Sequence, residues 1–398
     1  MPLYYIDGVR DIDGGGGGDV VVKKTNYYID ADNNTFIANG QSSSYITSFN
    51  IDNNKCVWAQ GGYSGGLRII SLQETSVTTI STINNTVPPS SETAIAEDDS
   101  FFICWHSNTF YYVPVNSDYT AGTVISISTT DLGYGNMRNP FILSPTRFGI
   151  YDYTNSKICI LKLENGALTE DKVIDCSTFN LTGKLASSFA GKIVLLINKT
   201  SGSPTETGIR IIDPDTETTL YEDIRSDKTN TPYSCCQKDN YLFVYNDLNS
   251  QPYITERILV YEYSNGQFSK KNMSTVGYTP RQSSNGTGIR AYKQSEGVYI
   301  VYPTNYVSVS GLDISFFVCD ITNGTAEGNF YYTKGSTIFP QGFIIVTVNN
   351  KQKLLLSNSY NQSYYSYYRW FYGDYYMDRI PTQIQYQGSI FDLTEFGE

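Results

Sequence analysis

Leu161-Lys162-Leu163-Glu164-Asn165-Gly166 is the stretch that decides the fold. Apolar and polar residues alternate along it, as they do on a strand with one buried face. It then stops at Asn-Gly, the pair that supplies the positive φ angles of a type I′ turn and so joins two antiparallel strands. The motif comes back as Ile211-Ile212-Asp213-Pro214-Asp215-Thr216. It returns again as Val260-Tyr261-Glu262-Tyr263-Ser264-Asn265-Gly266 and Val318-Cys319-Asp320-Ile321-Thr322-Asn323-Gly324. An earlier copy is Phe49-Asn50-Ile51-Asp52-Asn53-Asn54-Lys55, and weaker ones sit at Asn116-Ser117-Asp118 and Gly373-Asp374.

Turns placed at residues 53, 116, 165, 215, 265, 323 and 373 are separated by 49 to 63 residues. Four-stranded propeller blades repeat every ~40–50 residues, and longer loops account for the excess. The expectation is an all-β propeller of seven blades, each of four antiparallel strands. Near-continuous apolar runs such as Lys192-Ile193-Val194-Leu195-Leu196-Ile197 and Tyr241-Leu242-Phe243-Val244-Tyr245 suit strands buried between neighbouring blades. The alternating strands beside the turns are expected nearer the outside.

Composition agrees. Among 398 residues there are 35 Tyr and 33 Gly, and only 17% are charged. Tyr, Val, Ile, Phe and Thr favour strands, and Gly, Asn and Asp favour the turns between them. The net charge of −11 argues against a nucleic-acid partner, which needs a basic face to displace counterions. It argues equally against adhesion to an anionic membrane. No run approaches the ~18 apolar residues of a membrane-spanning helix. The opening Met1-Pro2-Leu3-Tyr4 lacks the basic and apolar regions of a secretory leader. Seven Cys at spacings that match no zinc pattern read as buried reduced thiols.

The ends differ from the repeats. Residues 1–19 read as a strand followed by a Gly14–Gly18 hinge, residues 20–380 as the propeller, and 381–398 as a C-terminal strand. Two roles are open to these terminal strands. One of them completes a shared blade and closes the ring, hiding an open edge. Alternatively the N-terminal strand is an assembly arm, carried by Tyr4, Tyr5, Ile6 and Val9, that pairs with a neighbouring subunit.

The repeats resemble those of the kelch and tryptophan–aspartate propeller families in architecture. Their signatures are missing: a Gly-Gly doublet occurs at Gly61-Gly62 and Gly65-Gly66 but not in later repeats, and the chain has one His. In style the chain looks like structural proteins of phage and archaeal-virus particles, which are poor in charge and rich in Tyr, Asn, Ser and Thr. That resemblance implies a non-enzymatic virion component of a tail, baseplate or capsid surface. Such a protein is assembled in the host cytoplasm, and its partners are other virion proteins, itself, or a host-surface glycan or protein. Two other readings stay open: an extracellular carbohydrate-binding or carbohydrate-active propeller, and a cytoplasmic protein-interaction scaffold.

Residues with chemistry are few. His106 lies in the aromatic strand Phe101-Phe102-Ile103-Cys104-Trp105-His106 and reads as structural. No catalytic residue is assigned. Glycoside hydrolysis is the one enzymatic alternative, because it needs only two suitably spaced carboxylates, and Asp7, Asp98, Asp99, Asp152 and Glu296 are scattered. Calcium is the one metal with a candidate home, at Asp11, Asp13, Asp30 and Asp32, since it takes oxygen ligands. The Asp213-Pro214-Asp215 pair reads as an Asx turn. The densest binding candidate is the aromatic segment carrying Tyr360, Tyr364, Tyr365, Tyr367, Tyr368, Trp370, Tyr372 and Tyr375. Tyr offers flat apolar area with a polar tip, which suits protein interfaces and sugar stacking.

Overall fold

The computed structural model describes strands between residues 28 and 392, and side chains over most of residues 94–327. The arm residues Tyr4, Tyr5, Ile6 and Val9, together with Asp11 and Asp13, lie outside the described residues.

Two N-terminal strands, β1 (Tyr28–Asp30) and β2 (Thr35–Gln41), precede the repeats. The first blade is β3 (Tyr45–Thr47), β4 (Lys55–Ala59), β5 (Leu67–Leu72) and β6 (Val77–Ile83). The second is β7 (Glu92–Ile95), β8 (Phe101–His106), β9 (Thr109–Pro114) and β10 (Ile125–Ser128). The third is β11 (Met137–Ser144), β12 (Arg147–Asp152), β13 (Lys157–Glu164) and β14 (Ala167–Asp175). The fourth is β15 (Leu185–Phe189), β16 (Lys192–Lys199), β17 (Glu206–Ile212) and β18 (Thr219–Arg225). The fifth is β19 (Thr231–Lys238), β20 (Tyr241–Asp247), β21 (Ile258–Ser264) and β22 (Gln267–Lys271).

Each of these five is a separate antiparallel sheet in chain order. A short strand β23 (Ser274–Gly277) leads to a sixth four-strand meander: β24 (Ile289–Ser295), β25 (Val298–Pro303), β26 (Ile314–Asp320) and β27 (Thr325–Lys334). Three long strands follow, β28 (Pro340–Val348), β29 (Lys351–Gln362) and β30 (Tyr365–Tyr376). First strands touch the next blade's first strand in the order β3, β7, β11, β15, β19, β24, and β28 touches both β25 and β3. The chain is a β-propeller.

The apolar sequence runs do what buried strands must. One core cluster joins Phe101, Ile103 and Phe110 of the second blade to Phe148, Ile150 and Cys159 of the third. Others join the third to the fourth, the fourth to the fifth and the fifth to the sixth. A blade therefore buries both faces, one against each neighbour, and cannot be stable alone. The alternation expected beside the turns holds in β17, where Thr207, Ile209 and Ile211 are buried and Gly208 and Arg210 between them are partly exposed. In β13 and β21 it gives way to continuous burial: Ile158 to Leu161 are all fully buried, as are Ile258 to Tyr261 within a few per cent.

The turns are of the expected kind at Asn165-Gly166 and Asn265-Gly266, where both residues have positive φ. Ala190-Gly191 and Ser107-Asn108 have the same geometry without the Asn-Gly signature. One assignment changes: Gly373-Asp374, read as a turn, lies inside β30, while Asn53 falls outside the described residues.

In the third and fourth blades the fourth strands, β14 and β18, are exposed edges that carry charge and bulges. Register slips at Ile160/Leu161 and Ile211/Ile212 leave Asp171 and Leu220 as extra residues on β14 and β18. A bulge and an inward-turned charge both discourage edge-to-edge association. Asp171 turns to Arg147 at 2.6 Å, and the same guanidinium reaches Asp215 of the fourth blade at 2.7 Å.

At the N-terminus, β2 pairs antiparallel with β30, and β1 pairs both with β30 and, in parallel, with β27. At the other terminus, β31 (Gln383–Tyr386) and β32 (Ser389–Asp392) form a hairpin with each other where one strand was expected.

A candidate binding face around Asp152

In an antiparallel meander the 1–2 and 3–4 turns emerge at one end, and the 2–3 turns and blade-to-blade linkers at the other. The first, the hairpin end, is mostly tied off by tight turns such as 145–146, 165–166, 190–191 and 265–266. The second, the linker end, carries the 2–3 turns and the linkers, among them the eight-residue linker 129–136 between the second and third blades. Binding residues concentrate on loops held by a rigid scaffold, which points to the linker end.

Its best-described part lies at the third blade. Asp152 ends β12 and is fully buried. Oδ1 accepts from the backbone N–H groups of Thr154 at 3.0 Å and Asn155 at 3.1 Å. Oδ2 accepts from the Gly135 N–H at 3.0 Å and the Asn155 side-chain amide at 2.7 Å. One carboxylate thus closes the 2–3 turn and fastens it to the incoming linker, and four donors meet the cost of its burial. The Asn136 N–H donates to Thr154 Oγ1, and the Tyr153 N–H to the Asn136 carbonyl.

That frame presents Tyr153, whose surface is 46% exposed. Arg138, the second residue of β11, holds its guanidinium carbon 5.6 Å from the Tyr153 ring centroid, a cation–π arrangement. A register shift follows Arg138 directly, with Asn139 at φ 53°. Such a bulge on a first strand re-aims the side chain beside it. Sequence reasoning named Asp152 only as a scattered carboxylate and missed Arg138 and Tyr153. The available signal was Asn139-Pro140 inside an otherwise regular strand.

The sequence candidates fall as follows. His106 ends β8 at the linker end, half-buried, and burial lowers its pKa. Tyr360, Tyr365, Tyr367, Tyr368, Trp370 and Tyr372 lie on β29 and β30, with Tyr360 registered opposite Tyr367, and Tyr372 opposite both Leu355 and Thr35. Tyr375 is registered against Ile29 of β1. Tyr364 and Asp32 lie outside the described residues, and Asp30 ends β1 opposite Lys334. Asp213 is committed to Lys192 at 2.7 Å and to the N–H groups of Asp215 and Thr216, as an Asx turn requires. Among the described residues no group of His, Cys, Asp or Glu is arranged to hold a metal ion.

Cys235 and Cys236 are neighbours on β19, so they face opposite ways. Cys235 packs against the core shared with the fourth blade and Cys236 against that shared with the sixth. Burial pushes the Cys235 thiol up to about 12. Cys159 and Cys176 are likewise pushed up to about 12 by burial.

No family model matches this sequence, and no curated protein matches it. Solved structures match at low identity. The oligogalacturonate lyase of Vibrio parahaemolyticus is 9% identical, with 86% of this chain and 95% of that one covered and a TM-score of 0.48. The WD40 domain of SCAP from fission yeast is 10% identical, with 87% and 98% covered and a TM-score of 0.46. A protein from Lactobacillus plantarum is 14% identical, with 74% and 89% covered and a TM-score of 0.46. At this level of similarity none of them bears on what the present chain binds or does.

Proposed function

We propose that this propeller is a non-enzymatic interaction protein that docks other proteins on its linker end and serves as an assembly or attachment component of a virus particle. The observation that carries the docking reading is the rigid presentation of Tyr153 and Arg138 on the Asp152 frame. Tyr and Arg are the residue types that dominate binding hot spots. The virion reading rests on composition: low charge with abundant Tyr and Asn in a chain of repeats.

In the same proposal the ring has seven blades. The seventh is β28, β29 and β30 with β2 as its fourth strand, and β1 staples it to the sixth. The pairings of β2 and β1 support this, as does the contact of β28 with β3. Closure by a terminal strand also removes an open edge.

Cryo-electron microscopy of the protein in its native assembly tests the reading. A propeller at a repeated position on a particle, linker end against a neighbour, is the expected result. A monomeric propeller that releases reducing sugar from a polysaccharide overturns it. The paired Tyr360 and Tyr367 positions support the alternative of a carbohydrate-binding surface, which a glycan array distinguishes.

A further inference from the structure

The outermost strand of a blade offers a row of backbone groups to any passing chain, and folds blunt such edges with bulges, charge or a covering strand. Nearly every outer strand here is blunted. Register slips at Ile69/Ile70, Ile160/Leu161, Ile211/Ile212 and Phe36/Ala38 put bulges into the pairings of β6, β14, β18 and β2. β14 and β18 add Glu170, Asp171, Glu222 and Asp223, and β22 ends in Lys270-Lys271. β27 is covered: β23 pairs with Thr325–Gly328 and β1 with Tyr332–Lys334.

Among the described strands β10 is the exception. It is the outer strand of the second blade, and no strand pairs with its far side. No residue from Tyr119 to Thr130 is charged. Its register on β9 runs from Ile125 opposite Tyr112 to Ser128 opposite Thr109 without a slip. Ser126 is exposed, while Ile125 and Ile127 are partly buried against the core shared with the third blade.

Charge and alternation select what sits on this edge. At a net charge of −11 two copies of the chain repel in general, and they approach most easily where neither presents a charge. The Ile-Ser-Ile-Ser pattern is also its own antiparallel complement. With a two-fold axis through Ser126, Ile125 stands opposite Ile127 of the second copy, and Ser126 opposite Ser126. Every isoleucine then keeps the face turned to the third blade and every serine the other face, so the register is specified.

We propose that β10 is a self-association edge, through which two copies of this protein join as a two-fold antiparallel strand pair. The contact lies on the outer rim and goes beyond docking at the linker end, on which it does not depend. Four residues bury little area, so the pair forms in a concentration-dependent way.

Directly opposed Cα atoms in an antiparallel pair lie ~4.5–5.5 Å apart, a separation that a disulfide spans. Full-length protein carrying Ser126→Cys, exposed to oxidised glutathione, should therefore run as a disulfide dimer on a non-reducing gel. Thr169→Cys, exposed on the charged edge β14, and the unsubstituted protein should stay monomeric under the same conditions. Sedimentation velocity should show the unsubstituted protein moving toward dimer mass as concentration rises. Ser126→Lys, which sets two ammonium groups against each other, should weaken that dimer by about tenfold or more. Equal melting temperatures establish that the variants are folded. A protein that stays monomeric throughout the concentration series, a dimer indifferent to Ser126→Lys, or a disulfide formed as readily from Thr169→Cys overturns the proposal. So does a native assembly in which Ser126→Cys crosslinks to a different protein and never to itself.

Discussion

The hydroxyl of Tyr299, on the second strand of the sixth blade, donates to Asp239 Oδ2 of the fifth blade at 2.7 Å. Asp239 sits in the β19–β20 turn and also receives Lys293 at 3.3 Å. The next seam repeats the device: Tyr261 donates to Asp223 of the fourth blade at 2.8 Å, with Lys270 at 3.2 Å. Burial pushes both carboxyls up, but the Tyr and Lys partners outweigh it and hold each below its ordinary value. Propeller seams are mostly apolar; these directional bonds fix how one blade registers on the next.

Removing one such bond should weaken the seam by about 1 kcal/mol, the usual net worth of a protein hydrogen bond. Tyr299→Phe keeps the ring in contact with Phe243 and Tyr241 and deletes only the donor. Urea unfolding should show a lower midpoint with an unchanged slope.

The depressed carboxyls set the acid limit. Asp213, Asp223, Asp239 and Asp320 all titrate below the ordinary carboxylate range in the folded protein. Their contribution is fully present above the unfolded value of about 3.9 and is lost as pH falls through the folded values. Thermal melts should therefore be flat from pH 7 to about 5 and fall steeply below about 4. Tyr261→Phe and Tyr299→Phe should make that fall shallower.

The six described cysteines, Cys104, Cys159, Cys176, Cys235, Cys236 and Cys319, are free thiols whose pKa burial raises. Thiolate is the reactive form. Iodoacetamide at pH 8 should leave all six unlabelled in the folded protein and label all six in guanidinium, as mapped by peptide mass spectrometry.

Gly208 on β17 has φ 146°, and a Cβ there would meet the Asp223 carbonyl oxygen at 2.0 Å. Backbone on the paired strand cannot step aside. Gly208→Ala should cost about 3 kcal/mol or more, whereas Gly133→Ala, with open space around it, should cost only the strain of its positive φ. Circular dichroism melts of the two variants check the contrast.

If β2 closes the ring, deleting residues 1–41 exposes the length of β30 as an edge. The truncated protein should aggregate and lose its single cooperative transition, because an uncovered edge strand templates pairing with other chains. Deleting residues 381–398 should leave the transition in place. Size-exclusion chromatography and calorimetry compare the two.

The recurring strand–turn unit was readable in the sequence because its causes are local. Asn165-Gly166 and Asn265-Gly266 take positive φ at both residues, as Asn-Gly favours, whereas at Asn323-Gly324 only the glycine does; runs such as Ile193 to Ile197 are buried. Local pattern therefore determined the all-β class and the antiparallel repeats. It could not separate a 1–2 turn from a 3–4 turn, since Ala190-Gly191 and Asn165-Gly166 take the same backbone conformation in different places. Nor could it show that Cys235 and Cys236 serve different seams, or that Arg138 meets Tyr153 across a turn. The last depends on the bulged register of β11 on β12; the first two depend on which blade packs against which face, a long-range matter of buried area and of carboxylates such as Asp223 and Asp239 finding donors far along the chain. The sequence by itself carries the strands and their turns; the apolar seams and the hydrogen bonds that cross them exist only once one blade packs on the next, because burial and donor–acceptor pairing there join residues far apart in the chain.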